Sequence, residues 1–176
     1  QQIASLINTA KESIVFTSGA TESLNMAVKG TAELLSNKGK HIVTVETEHH
    51  AVLDPLLYLE KKGFEVTRLP VFPDGMIDLT LLQQSVRKDT IMVVAMWANN
   101  ETGVMHDINA VGAFCKEHGI TFICDGTQAV GKIKVDVESS GIDILTFSSH
   151  KIYGPKGSGA LYISNRLKNL KLPPLI

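Results

Sequence analysis

The run Thr90-Ile91-Met92-Val93-Val94-Ala95 constrains the fold more than any other stretch of the chain. It lacks polar alternation, so a strand built from it needs cover on both faces, the condition of a parallel sheet between two helical layers. The rest of the chain fits that frame. Short β-branched or apolar runs at 13–17, 41–45, 65–69, 121–124 (running into Asp125), 144–147 and 160–163 alternate with segments of helical period. A helix is expected over 22–36, with Leu24, Ala27, Val28, Leu34 and Leu35 on one face. A second is expected over 53–62, with Asp54-Pro55 in its first turn and Gly63 at its end. Pro73-Asp74-Gly75 reads as a turn, and Asp78 caps a short helix that turns Leu79, Leu82 and Val86 inward. Residues 108–118 form a further helix, closed by Gly119. The alternation implies one α/β domain, a mostly parallel sheet with helices on both faces. No repeat or linker interrupts it before Leu172-Pro173-Pro174.

Composition then excludes several classes. Across 176 residues, 17 Lys and Arg face 18 Asp and Glu, a net charge of −1 that gives no footprint for nucleic acid or an anionic membrane. No apolar run approaches the roughly 20 residues of a membrane span. The start lacks the basic and apolar regions of a signal peptide. The two cysteines, Cys115 and Cys124, are too few for a disulfide framework and lack metal-ligand spacing, which suits a reducing, intracellular setting. The chain begins without Met and stops at Pro173-Pro174-Leu175-Ile176, and both ends look cut from something longer.

In such sheets ligands bind beyond the carboxyl ends of the strands. Unusual polar clusters collect there: Ser18-Gly19-Ala20-Thr21, Glu48-His49-His50, Asn99-Asn100-Glu101, Asp125 with Gln128, and Ser148-Ser149-His150-Lys151. Together they offer small hydroxyl-rich segments, an acid, amides, imidazoles and an amine, an inventory that suits a phosphorylated, nitrogen-containing ring held by an imine. Ser18–Thr21 opens a helix where backbone N–H groups can meet a phosphate. It equally fits a capped helix start, and it is neither a P-loop nor a dinucleotide fingerprint. Asp125, ending a buried strand, needs a cationic partner such as a pyridinium nitrogen, or serves as a helix N-cap. Lys151 is a nucleophilic amine if partly desolvated, and an ordinary loop lysine otherwise. His49 and His50 are adjacent and lack a third ligand at helical spacing, so no metal site is expected. One imidazole serves better as a flat lid over a ring, and the other as a surface side chain.

Five ordered motifs bring a family with them. Phe-Thr-Ser-Gly-Ala-Thr-Glu-Ser (16–23), Thr-Glu-His-His-Ala-Val-Leu-Asp (47–54), Asn-Asn-Glu-Thr-Gly-Val (99–104), Asp-Gly-Thr-Gln-Ala-Val-Gly-Lys (125–132) and Ser-His-Lys-Ile-Tyr-Gly-Pro-Lys-Gly (149–157) resemble the cysteine desulfurases of iron–sulfur cluster assembly. These are fold-type I, class V aminotransferase-like enzymes. The resemblance implies that residues 1–176 are part of a large, pyridoxal 5'-phosphate-binding domain, with the small C-terminal domain outside them. It implies that Lys151 holds the cofactor covalently and later moves protons, and that Ala20, Thr21, Ser148 and His150 bind its phosphate. His49 would stack on the ring and help move protons, Asp125 would pair with the ring nitrogen, and Asn100 and Gln128 would contact the hydroxyl side. The implied reaction takes L-cysteine to L-alanine and leaves a persulfide on an enzyme cysteine, which a sulfur acceptor or scaffold protein receives. Homodimers in the cytoplasm, or in mitochondria of a eukaryote, are implied as well.

The sequence departs from that pattern chiefly in what it lacks: the family's opening segment, its Gly-rich Arg-containing segment and its loop with the sulfur-accepting cysteine. Cys115 shares a helix face with Ile108, Val111 and Phe114, and Cys124 points opposite to Asp125, so neither replaces that nucleophile. Trp97 stands near the site as either a gate or a packing residue. A selenocysteine lyase, another class V enzyme, or a non-catalytic folding and interaction module are the competing expectations.

Overall fold

The computed structural model describes residues 1–167. The expected Leu172-Pro173-Pro174 linker lies outside the described residues. Seven strands, β1 (Ile14–Thr17), β2 (His41–Val45), β3 (Glu65–Leu69), β4 (Thr90–Met96), β5 (Thr121–Asp125), β6 (Ile144–Ser148) and β7 (Gly159–Ile163), form one sheet in the order β1-β7-β6-β5-β4-β2-β3. Six point the same way; β7 alone runs against both its neighbours, β1 and β6. The expected mostly parallel α/β sheet is thus the observed one. Every residue of β2, β4, β5 and β6 is buried, as strands covered on both faces must be.

The two covers are distinct. On one face α2 (Ala20–Leu35) and α3 (His50–Glu60) pack Leu24, Ala27, Val28, Val52 and Leu56 against Ile42, Met92, Val94, Ile123 and Ile144. On the other, α1 (Gln2–Leu6), α4 (Leu79–Ser85) and α5 (Ile108–Glu117) bring Ile3, Leu82, Ile108, Val111 and Cys115 against Val43, Val93, Ala95, Phe122 and Cys124. The odd–even split along β4 and β5 is the two-residue period of a pleated strand. Trp97 continues the second face and is buried there, so it packs and does not gate.

Helix starts are where sequence periodicity and structure differ. α2 begins at Ala20, two residues before the expected Glu22. α3 begins at His50, three before Leu53, because the His49 side chain accepts the Ala51 N–H at 3.0 Å and supplies the cap. Pro55 therefore sits inside α3 and not in its first turn. Asp78 caps α4 as expected, accepting from Thr80 and Leu81, but that helix ends at Ser85 and leaves Val86 half-buried beyond it. The helix α1 has no counterpart among the expected elements; its five residues are too few to show a period. Among the described residues, no helix is long and apolar enough to cross a membrane.

Candidate active site

The carboxyl ends of β4, β5 and β6 and the first turns of α2 and α3 enclose a cavity of about 250 Å³. All nine residues singled out from the sequence line it: Ala20, Thr21, His49, Asn100, Asp125, Gln128, Ser148, His150 and Lys151. Leu24, Ala51, Met96, Ala98 and Thr127 complete the lining. Sequence reasoning passed over these five because apolar and small wall residues carry no chemistry to mark them. The signal was there for Met96, two residues past Val94 on the same face of β4.

One end of the cavity is a cradle at the start of α2. Thr17, Gly159 and Ser148 stand opposite one another across β1, β7 and β6. The Ala20 N–H donates to Ser148 Oγ at 2.7 Å, which draws the helix start onto the sheet edge. A Cβ on Gly159 would lie 2.6 Å from Gly19 Cα and 2.8 Å from Phe147 O, both backbone atoms that cannot step aside. Only glycine at 159 lets α2 come this close. The Glu22 carboxylate accepts the Ser18 N–H at 2.5 Å, and that contact lowers its pKa. The sixteen residues of α2 direct their N-terminal end at the cavity, an arrangement that favours a phosphate.

The floor is acidic. Asp125 is 7% exposed, and its Oδ1 accepts the Thr127 N–H at 2.9 Å. Burial raises its pKa above the ordinary 3.8, opposed by the Thr127 hydrogen bonding and by the nearby His49. Among the described residues no Lys or Arg forms an ion pair with it. A buried acid facing a cavity without a fixed cation suits a ligand that brings its own positive nitrogen. Cys124 packs in the opposite layer, as the alternation demands.

His49 and His50 are both exposed, and of the two His49 alone is among the cavity-lining residues. His49 lines the cavity, and because its Nδ1 accepts the Ala51 N–H, a neutral ring carries its proton on Nε2. His50 turns to solvent, 3.8 Å from Asp54. Their ring centroids are 6.3 Å apart. Asn99 binds the neighbouring loops together: its side chain donates to Thr47 O and accepts from the N–H groups of Glu101 and Thr102, which sets Asn100 beside the segment carrying His49. Gln128 Oε1 accepts from Lys132 Nζ. Among the described residues no group of three or more His, Cys, Asp or Glu is placed to hold a metal ion.

Lys151 ends a short 3-10 turn, Ser149–Lys151, on the cavity rim and is exposed as a residue while lining the cavity. The cause is the segment that follows. Ile152 and Gly154 N–H both turn back to Ser149 O, and Tyr153, at φ 63°, is thrown fully into solvent, so nothing in the described chain closes over the amine.

Residues 1–176 match the aminotransferase class-V family over their whole length. The cysteine desulfurase IscS of Neisseria meningitidis serogroup A is 56% identical over 164 residues, 93% of this chain and 41% of that protein. The cysteine desulfurase IscS of Ehrlichia chaffeensis is 51% identical over 176 residues, all of this chain and 43% of that protein. A solved structure of SspA in complex with cysteine superimposes with a TM-score of 0.94 at 38% identity, covering 99% of this chain and 50% of the other. The chain thus spans about two fifths of the length of the curated relatives it matches.

Proposed function

The chain belongs to the aminotransferase class-V family, and from that membership we propose that it forms the cofactor-binding part of a pyridoxal 5'-phosphate-dependent cysteine desulfurase, which converts L-cysteine to L-alanine and passes the sulfur on as a persulfide. The observation that carries this reading is the convergence of Lys151, Asp125 and the α2 cradle on one cavity. The donor set fits the group: an amine for its aldehyde, a buried carboxylate for its ring nitrogen, and a helix N-terminus with Ser148 and His150 for its phosphate. When bound, the cofactor supplies an electron sink for bonds breaking at the substrate.

The protein's own residues supply position and protons. Lys151 Nζ would hold the cofactor and, when free, would move a proton to and from the substrate. Ala20, Thr21, Ser148 and His150 would bind the phosphate. Asp125 would pair with the ring nitrogen. His49 would stack on the ring, its Nε2 available to move a proton. Asn100 and Gln128 would contact the hydroxyl side.

Neither cysteine of this chain is the sulfur carrier in this scheme. Both are fully buried; burial pushes the Cys115 thiol up to about 12 and the Cys124 thiol well above its ordinary value, so neither forms a thiolate readily. The persulfide cysteine and the small domain are therefore assigned outside these 176 residues.

The test loads the whole protein with pyridoxal phosphate. The wild type is expected to show the visible band of a lysine-linked cofactor, removable by borohydride, and, with an added thiol to reduce the persulfide, to release sulfide and alanine in equal amounts from L-cysteine. Lys151→Ala is expected to lose both. A wild type without that band would overturn the reading.

A further inference from the structure

A second buried acid adjoins the lining residues His49 and Met96, and the scheme above leaves it unused. Glu48 stands between β2 and α3, directly before His49, and is 6% exposed. Its Oε1 accepts the Met96 N–H at 2.7 Å. Its Oε2 is buried and meets neither donor nor acceptor. Among the described residues no ion pair includes it. Met96 is paired with Asp125 across β4 and β5, so the single backbone group that holds Glu48 belongs to the residue beside the proposed ring partner.

Glu48 and Asp125 are thus two buried acids linked through Met96, and among the described residues neither is paired with a Lys or Arg. Burial without a cationic partner disfavours the charged form, and a like charge nearby disfavours it further. The charged group that acts on Glu48 is Asp125, on β5; Cys124, the residue before it, packs in the opposite layer, and His49, the imidazole next in the chain, acts on Asp125. Asp125 reaches the cavity and is helped by Thr127 and His49, whereas Glu48 is helped by one N–H alone. Burial first, and then the Asp125 charge, push the Glu48 carboxyl well above its ordinary value. Environments that differ in this way assign different protonation states to paired acids.

We propose that Glu48 is a positioning residue that stays protonated, so that the buried acid pair carries one negative charge and that charge resides on Asp125, facing the ligand. Its role toward the cofactor rests on the function proposed above; its protonation does not. The neutral acid keeps an acceptor for Met96 N–H, ties β4 to the loop carrying His49, and adds no second charge to repel or compete with Asp125.

Infrared spectra of the cofactor-free whole protein test the protonation directly. At neutral pH the carbonyl stretch of a protonated carboxyl is expected, shifting when isotope-labelled glutamate replaces the ordinary amino acid, and absent in Glu48→Gln. If Glu48→Gln does not fold, Glu48→Asp is expected to move the label sensitivity from glutamate to aspartate. No such band, a band unmoved by labelled glutamate, or one that survives in Glu48→Gln overturns the proposal. A second measurement addresses the ligand: cofactor affinity of Glu48→Gln should stay within about twofold of wild type, because a neutral amide replaces a neutral acid of the same shape. A tenfold loss would show that an ionised Glu48 is needed and also overturns it. Failure of the wild type to bind cofactor would instead count against the proposed function, leaving the infrared result to stand by itself.

Discussion

Replacing Asp125 by Asn keeps the side chain's shape and an acceptor for the Thr127 N–H. What it removes is the charge. A buried acid whose pKa is raised on folding stabilises the protein below its ordinary value, 3.8, and that contribution is lost as pH rises through the folded value. Asp125→Asn is therefore expected to be at least as stable as wild type at neutral pH without cofactor, as read by urea denaturation. Cofactor retention should fall roughly tenfold to a hundredfold, the scale of losing a hydrogen bond of about 1.5–3 kcal/mol to a charged group. Equal cofactor affinity in the two proteins would remove Asp125 from its proposed role. At this scale much was legible: the residue types named the chemistry, and the two-residue period set Asp125 and Cys124 on opposite faces. The exposure of Lys151 was not legible, because it depends on where the segment after it leaves the surface.

Among the elements, α3 shows how one side chain can serve structure and site together. His49 caps the helix through Nδ1 and presents the rest of its ring to the cavity. His49→Ala should destabilise the protein by about 1 kcal/mol, the usual cost of losing a helix cap. His49→Asn should restore that stability, since an amide oxygen can accept the Ala51 N–H, while leaving the visible cofactor spectrum altered as in His49→Ala. If Asn restores the spectrum too, the ring has no part beyond capping. Periodicity could not place this helix start, because a histidine cap carries no hydrophobic period and Pro55 drew the expected first turn three residues too far along. The opening of α2 was legible as a helix start at Ser18–Thr21, but periodicity put its first full turn at Glu22, because the contact that draws Ala20 onto the sheet is to Ser148, 128 residues away.

For the molecule as a whole, His41 ties sheet stability to pH. It is buried in β2, with Nδ1 2.7 Å from Thr90 Oγ1 and Nε2 2.9 Å from Thr67 Oγ1, and so bridges to β4 on one side and β3 on the other. Burial, reinforced by the Arg87 charge, lowers its pKa from 6.5 against the pull of Asp89 and Glu65. A base depressed on folding contributes stability above its ordinary value and loses it as pH falls toward the folded value. Denaturation midpoints are thus expected to fall as pH drops below 6.5, by at most about 1.4 kcal/mol per pH unit for one proton. A His41→Asn variant should show a flatter profile, and an unchanged slope would exclude His41 as the cause. The sequence alone determined the class of this architecture, because unalternating apolar strands admit few arrangements, and it named nine of the fourteen residues that line the cavity. Tertiary structure alone decided the strand order, the reversed β7, the closeness of Gly159 to α2 and the unpartnered oxygen of Glu48. These depend on contacts between residues far apart in the chain, and local patterns of hydrophobicity and turn chemistry carry no record of them.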